Sequence, residues 1–317
     1  MTNIWVDTRW EGLHGIGRYA REVCSRLTVP WQSLDLEGSP ASPAGAFAKM
    51  PSGLVYSPGY NGFRRAERQV LTVHDLIHLE TPWPGRAKYV AYYNAVVKPV
   101  IKHSGVVITV SDTSRRAIAA WLRDPSVKIV NAGIGSSPAF RPDVTPATAA
   151  DPYLMYVGNL REHKNVTVVL DAMTRVPSSR MRMLIPVSEH DEALRMFAAR
   201  GLSDRVELLA GVSDDDLASH YRGAVATVMP STLEGFGLPA LESIMTGTPV
   251  LYWHGCSAVA ETVGHRGHAI DGAHDIEEWS DAIEDALDGR ARVDPPSQRY
   301  DWGATAASVD TALAERA

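Results

Sequence analysis

Glu234 and Glu242 stand eight positions apart in Ser231-Thr-Leu-Glu-Gly-Phe-Gly-Leu-Pro-Ala-Leu-Glu-Ser-Ile-Met-Thr-Gly-Thr-Pro-Val250. Pro239 suits the first turn of a helix and Gly247 its stop. The amides of Phe236, Gly237 and Leu238 then point out of a helix start, which is a ready site for an anion. Carboxylates beside such a mouth repel phosphate, so their use is to accept hydrogen bonds from hydroxyls, as from a vicinal diol. A ligand that carries phosphate and diols together fits both features, and a nucleotide sugar is one. Acids near a helix start also complement the macrodipole without any ligand, so the pair needs company.

That company lies in three other stretches. Tyr156-Val-Gly-Asn-Leu-Arg-Glu-His-Lys-Asn165 runs from a strand end into a helix for which Asn165 is the expected cap. Lys164 there is placed to neutralise a departing diphosphate, a task for a fixed cation. Thr72-Val-His-Asp-Leu-Ile77 ends a strand and puts His74 and Asp75 at the edge where open α/β sheets take ligands, with Asp75 equally suited to capping the next turn. Gly12-Leu-His-Gly-Ile-Gly-Arg-Tyr-Ala20 contains Gly15-x-Gly17-x-x-Ala20, which formally fits a dinucleotide fingerprint, although the loop before Gly15 is longer than that motif's tight turn. Ser213-Asp-Asp-Asp-Leu217 resembles a metal-binding acid run, but Ser213 with Asp216 reads as a capping box, so no metal is expected.

These stretches need parallel sheets to position them. The chain has 317 residues, which suits about two domains and a cleft between them. Hydrophobic content of 45% and charged content of 21% are those of a globular protein. Cys24 and Cys256 have no metal-ligand spacing and read as packing residues. A formal charge of -6 and a pI near 6.0 argue against nucleic acid as partner. No signal peptide or membrane span is legible, so a cytoplasmic location is expected.

Strands are expected at Asn3–Thr8, Leu54–Ser57, Gln69–Val73, Val106–Val110 and Val127–Asn131, with helices at Gly17–Leu27, Ala87–His103 and Thr113–Leu122. A proline-rich stretch, Ser136–Pro152, follows. The alternation then restarts with strands at Tyr153–Val157, Met181–Pro186, Val206–Leu209, Ala226–Met229 and Pro249–Trp253. The expected organisation is an α/β chain of two Rossmann-like, doubly wound domains, 1–140 and 153–300, with a linker over 141–152 and a final helix, 301–317, returning to the first domain.

With these motifs in place, nearly the whole chain resembles the retaining GT-B glycosyltransferases of family 4, whose two domains face each other across a cleft. Glu234…Glu242 is similar to that family's acid-seven-residues-acid motif. The resemblance implies that Glu242 binds ribose hydroxyls, that Glu234 binds the transferred sugar, and that the amides of Phe236, Gly237 and Leu238 meet sugar and diphosphate. It also implies that His74 lies against the donor sugar, that the Gly15 to Gly17 loop approaches donor phosphate and acceptor, and that Val212 walls the base. The family usually has an Arg beside the lysine, where this chain has His163, and some members carry one where Asn159 stands; Arg161 is the candidate replacement. Glu261 resembles a further family acid read as structural.

The expected activity is that of a metal-independent hexosyltransferase in glycan, glycolipid or natural-product biosynthesis. It uses no cofactor and takes a nucleotide-sugar donor and a saccharide, lipid-linked or small-molecule acceptor. GDP-mannose is the first expectation, because His-Asp-Leu-Ile and His-Lys-Asn look like bacterial polysaccharide mannosyltransferases; UDP- and dTDP-sugars stay open. Peripheral membrane contact through Arg64–Arg68 or Lys88–Lys102 is weighed and not favoured. Two alternatives stand beside this: an NAD(P)-dependent oxidoreductase using Gly15 and Gly17, and a GT-B-shaped binding protein without turnover.

Overall fold

A computed structural model of the chain describes residues 2–10, 12, 15–297 and 300–317. It divides into two units, Met1–Gly135 with Arg299–Ala317, and Ser136–Gln298.

The first unit runs β1 (Ile4–Val6), α1 (Gly15–Cys24), β2 (Trp31–Ser33), β3 (Leu54–Ser57), β4 (Arg68–Leu71), α2 (Ile77–Glu80), α3 (Arg86–Tyr92), α4 (Lys98–Ser104), β5 (Val106–Thr109), α5 (Asp112–Leu122) and β6 (Lys128–Asn131). Its strands pair in parallel in the order β2-β1-β3-β4, and β5 pairs with β6. Val73 N donates to Ile108 O at 2.8 Å and joins the two ladders, so the order reverses between β1 and β3. The central β3 and β5 are buried along their length, as parallel strands covered on both faces must be.

The helix expected as one piece over Ala87–His103 is three. A π turn, Tyr93–Val97, lies between α3 and α4, just ahead of Pro99, whose missing N–H cannot continue the ordinary ladder. Strand β2 escapes the sequence pattern because it is three residues on the sheet edge with little burial.

The second unit runs β7 (Leu154–Val157), α6 (Val166–Arg175), β8 (Met181–Leu184), α7 (His190–Ala198), β9 (Val206–Leu209), α8 (Asp214–Gly223), β10 (Ala226–Met229), α9 (Leu238–Met245), β11 (Val250–Trp253), α10 (Ser257–Val263), β12 (Gly267–Ile270) and α11 (Ile276–Gly289). All six strands are parallel, in the order β12-β11-β10-β7-β8-β9. The first strand therefore lies at the centre and the order reverses between β7 and β10, the doubly wound arrangement whose switch point takes ligands. Helices α6 and α11 supply apolar faces, including Val169, Leu170, Trp279 and Ile283, to the core on this sheet. The stretch 136–152 lies along this unit: Phe140 is buried edge-on against Tyr221, and Ala147 N donates to Ser219 O at 2.8 Å.

The last helix, α12 (Trp302–Ala314), belongs to the first unit and packs on α1. Asp310 on it is buried and accepts from Thr28 N (2.8 Å), Thr28 Oγ1 (2.7 Å) and Val29 N (3.2 Å), the backbone just past α1. Asp310→Ala leaves those donors without their carboxylate. It is expected to destabilise the first unit by about 3 kcal/mol. Denaturant unfolding should show a lower midpoint at unchanged slope; a loss below about 0.5 kcal/mol would show that the anchor is incidental.

Candidate active site

The switch point of the second unit is built from two loops, one after β7 and one after β10. Tyr156 stands next to last in β7 with its hydroxyl donating to Asn159 O at 2.7 Å, and burial raises its pKa, with the Glu234 charge as the next cause. Leu160 N donates to Glu189 Oε2 at 2.7 Å, and Arg161 N to Asn159 Oδ1 at 3.2 Å. His163 O then accepts from Thr232 N at 2.8 Å, which ties the first loop to the second. That tie sets Lys164 Nζ 2.6 Å from Glu234 Oε1, with side chains only 15% and 10% exposed.

Asn165 does not cap α6 with its side chain. Its backbone is left-handed (φ 50°), and its amide donates instead to Ala273 O (2.7 Å), in the loop after β12, and to Pro230 O (3.3 Å), in the loop after β10. The expected N-cap gives way because a left-handed Asn cannot present its oxygen to the first helical amides in the usual β-region cap geometry.

Gly237 opens α9 with φ 93°, a conformation that favours glycine, and a Cβ there would come within 3.3 Å of Val259. The helix's own bonds begin with Ala240 N donating to Gly237 O at 3.0 Å. Pro239 carries no N–H, so the amides at this mouth are those of Leu238 and the loop before it. Thr262 Oγ1 donates to Phe236 O at 3.1 Å and fixes the turn from the α10 side. The buried Cys256 thiol nearby is pushed up to about 12 by burial, then by the Glu234 charge, and stays a packing group.

Glu242 lies one turn inside α9, almost fully buried, where Tyr221 of α8 donates to Oε2 at 3.1 Å. The sequence gives no sign of Tyr221, which sits four residues after Leu217 on the apolar face of α8 and reads as core. Val212 follows β9 and is partly buried against the same core cluster as Leu184 and Val157, which end the neighbouring strands β8 and β7. Arg161 is exposed on the rim of the first loop. The structure thus gathers Lys164, Glu234, Phe236, Gly237, Leu238 and Glu242 at one switch point, with Val212 farther along the same edge.

His74, Gly15 and Gly17 belong to the first unit. His74 follows β4, buried, with Nε2 2.9 Å from Pro58 O and its ring edge-on to Tyr19 at 4.7 Å. A carbonyl only accepts, so Nε2 is the protonated nitrogen in that contact. Asp75 accepts from Ile77 N at 3.0 Å and caps the following turn. Among the described residues nothing lies within 4 Å of a Cβ placed on Gly15, so its bareness is not required by packing.

Ser213 and Asp216 form the capping box of α8. Among the described residues no group of three or more His, Cys, Asp or Glu is placed to hold a metal ion. No described helix is long and apolar enough to cross a membrane.

Two parallel, doubly wound units are the elements of the GT-B fold class. Residues 141–307 match the family model for glycosyl transferases group 1, and the chain belongs to that family. It is 30% identical over 237 residues to O-antigen chain mannosyltransferase B of Escherichia coli, a match over 69% of this chain and 61% of that protein. It is 34% identical over 173 residues to the D-inositol 3-phosphate glycosyltransferase of Mycolicibacterium smegmatis, over 50% of this chain and 38% of that one. The matches thus span less than two thirds of these relatives' lengths. Among solved structures, sucrose-phosphate synthase from Thermosynechococcus elongatus superposes with a TM-score of 0.71 at 16% identity, over 100% of this chain and 95% of that one. Gly15 and Gly17 lie outside the residues that the family model matches.

Because Asn165 holds both switch-point loops, Asn165→Ala should lower stability by about 2–3 kcal/mol, from lost hydrogen bonds and a left-handed backbone unsuited to Ala. Asn165→Gly removes the same bonds without the backbone strain and should cost less. Thermal unfolding of the three proteins checks the order; equal melting temperatures for Ala and Gly would contradict it.

Proposed function

We propose that this chain transfers a sugar from a nucleoside-diphosphate donor to an acceptor hydroxyl, with retention of anomeric configuration and without a metal ion. The observation that carries the reading is the Lys164–Glu234 contact at 2.6 Å beside the mouth of α9, at the point where β7 and β10 diverge. A diphosphate laid at that mouth meets the Leu238 amide and the lysine together, with Phe236 and Gly237 shaping the turn. Glu242, oriented by Tyr221, takes the ribose hydroxyls; Glu234, held by Lys164, takes hydroxyls of the transferred sugar; and Val212 lies along the edge for the base. Arg161 is the second cation for the phosphates.

In the first unit, His74 and the start of α1, Gly15 to Gly17, are assigned to the transferred sugar. In the reaction the acceptor oxygen bonds to the anomeric carbon as the bond from that carbon to the diphosphate oxygen breaks. The acceptor proton passes to the departing phosphate, whose charge Lys164 offsets. GDP-mannose is the first donor to try, supported by the relative named as a mannosyltransferase; UDP- and dTDP-sugars are the alternatives.

A panel of GDP, UDP and dTDP should raise the melting temperature with one nucleotide preferred, since a ligand of the native state stabilises it. With the matching sugar nucleotide, transfer or slow hydrolysis should fall about 10²–10³-fold in Lys164→Ala, the scale of losing one charge-stabilising group. Glu242→Ala should weaken donor binding. A folded wild type indifferent to every nucleotide sugar would overturn the reading, and binding without turnover would return it to a binding protein.

A further inference from the structure

The carboxyl edge of the first unit's sheet carries a row of aromatic rings that the donor chemistry does not use. Trp10 follows β1, Tyr60 follows β3, and His78, Trp83 and Tyr89 follow β4, so the row crosses three adjacent strand ends. Trp10 meets Tyr60 edge-on at 5.2 Å, and Tyr60 stands 5.8 Å from His78 and 6.1 Å from Tyr89. His78 lies 4.9 Å from Tyr89, and Trp83 closes on Tyr89 at 5.1 Å. The inner rings, Trp10 and Tyr60, are buried, while Trp83 is 38% exposed and His78 and Tyr89 are half-buried. The row begins between β1 and β3, where this sheet reverses its order and where open α/β sheets take ligands.

The inner end is held rigidly. Asp7, fully buried, receives Arg9 through Nε at 2.8 Å and Nη2 at 2.7 Å, and the Asn61 amide at 2.6 Å. Asn61 Oδ1 in turn accepts from Trp10 Nε1, and a Cβ on Gly59 would strike the Trp10 ring. A buried ion pair with its remaining lone pairs satisfied is a costly device if it only fills space. The outer end is fixed too: Trp83 Nε1 donates to His78 O at 3.3 Å and Arg86 Nε to Leu79 O at 2.8 Å.

We propose that this row, with Trp83 and Tyr89 as its outer rings, binds the acceptor, and that the acceptor is a saccharide laying a pyranose C–H face on them. The inference rests on the sugar-transferase reading and adds the acceptor's chemical class. Ring faces are electronegative and attract polarised C–H groups, and Tyr and His add polar tips for hydroxyls. Asp75 and Glu80 supply carboxylates from the same segment. Acids at this edge suit hydroxyl donors.

The test uses saturation-transfer NMR on the full chain with oligosaccharides ending in mannose, glucose, galactose or N-acetylglucosamine, without donor. At least one should bind through one face of its terminal ring. Trp83→Ala and Tyr89→Ala should each weaken that binding about tenfold, and Trp83→Phe less, with melting temperatures confirming the fold. The proposal is overturned if no saccharide binds, if both Ala variants bind like wild type, or if Trp83 responds only to phosphatidylglycerol vesicles. A nucleotide thermal shift read in the same samples separates the two ideas. Saccharide binding without it supports the aromatic site and counts against the donor site; the reverse removes the aromatic site alone.

Discussion

Lys164 and Glu234 meet where the central two strands of the second sheet part, and the local structure around them is arranged to make that contact. A lysine carried by the loop after β7 and a glutamate carried by the loop after β10 approach to 2.6 Å because Thr232 N binds His163 O and Asn165 spans to Pro230 and Ala273. The pair is largely withdrawn from solvent. In such surroundings a lone cation or a lone carboxylate is expensive, and each makes the other tolerable. The contact also offsets the Glu234 charge beside the α9 mouth, which the proposed phosphate site requires.

From this constraint the chemistry of the neighbouring groups follows. The loop that carries Glu234 leads into α9, which Gly237 opens with a left-handed backbone. Glu242 is steadied by Tyr221 from the adjacent helix, so the two glutamates of the opening motif act differently: one is paired to a cation and the other held by a phenol. In the first unit His74 is fixed on Pro58 O, and the buried Asp7 braces an aromatic row.

Much of this was legible from residue types. The strand ends, the glycine turn and the capping box at Ser213 announce themselves through periodicity and turn chemistry, because local sterics decide them. What escaped depends on distance along the chain. Lys164 and Glu234 are 70 positions apart, and nothing local shows that they touch. Tyr221 has the spacing of an ordinary core residue. Asp7, Arg9 and Asn61 come together only when β1 and β3 pair, and the row from Trp10 to Trp83 exists only once three loops share an edge. Asn165 misled because its type suits a cap, while tertiary partners drew its amide elsewhere. The edge strands β2 and β12 were missed because short, exposed segments carry no alternation to read.

The most direct measurement is a double-mutant cycle on sugar-nucleotide binding with Lys164→Met, Glu234→Gln and the double variant. If the pair acts as one unit, the double variant should bind no worse than the weaker single one, giving a coupling energy of about 1 kcal/mol or more. Losses that add to within about 0.5 kcal/mol would contradict the account, because two independent residues would then stand where a single interaction is claimed.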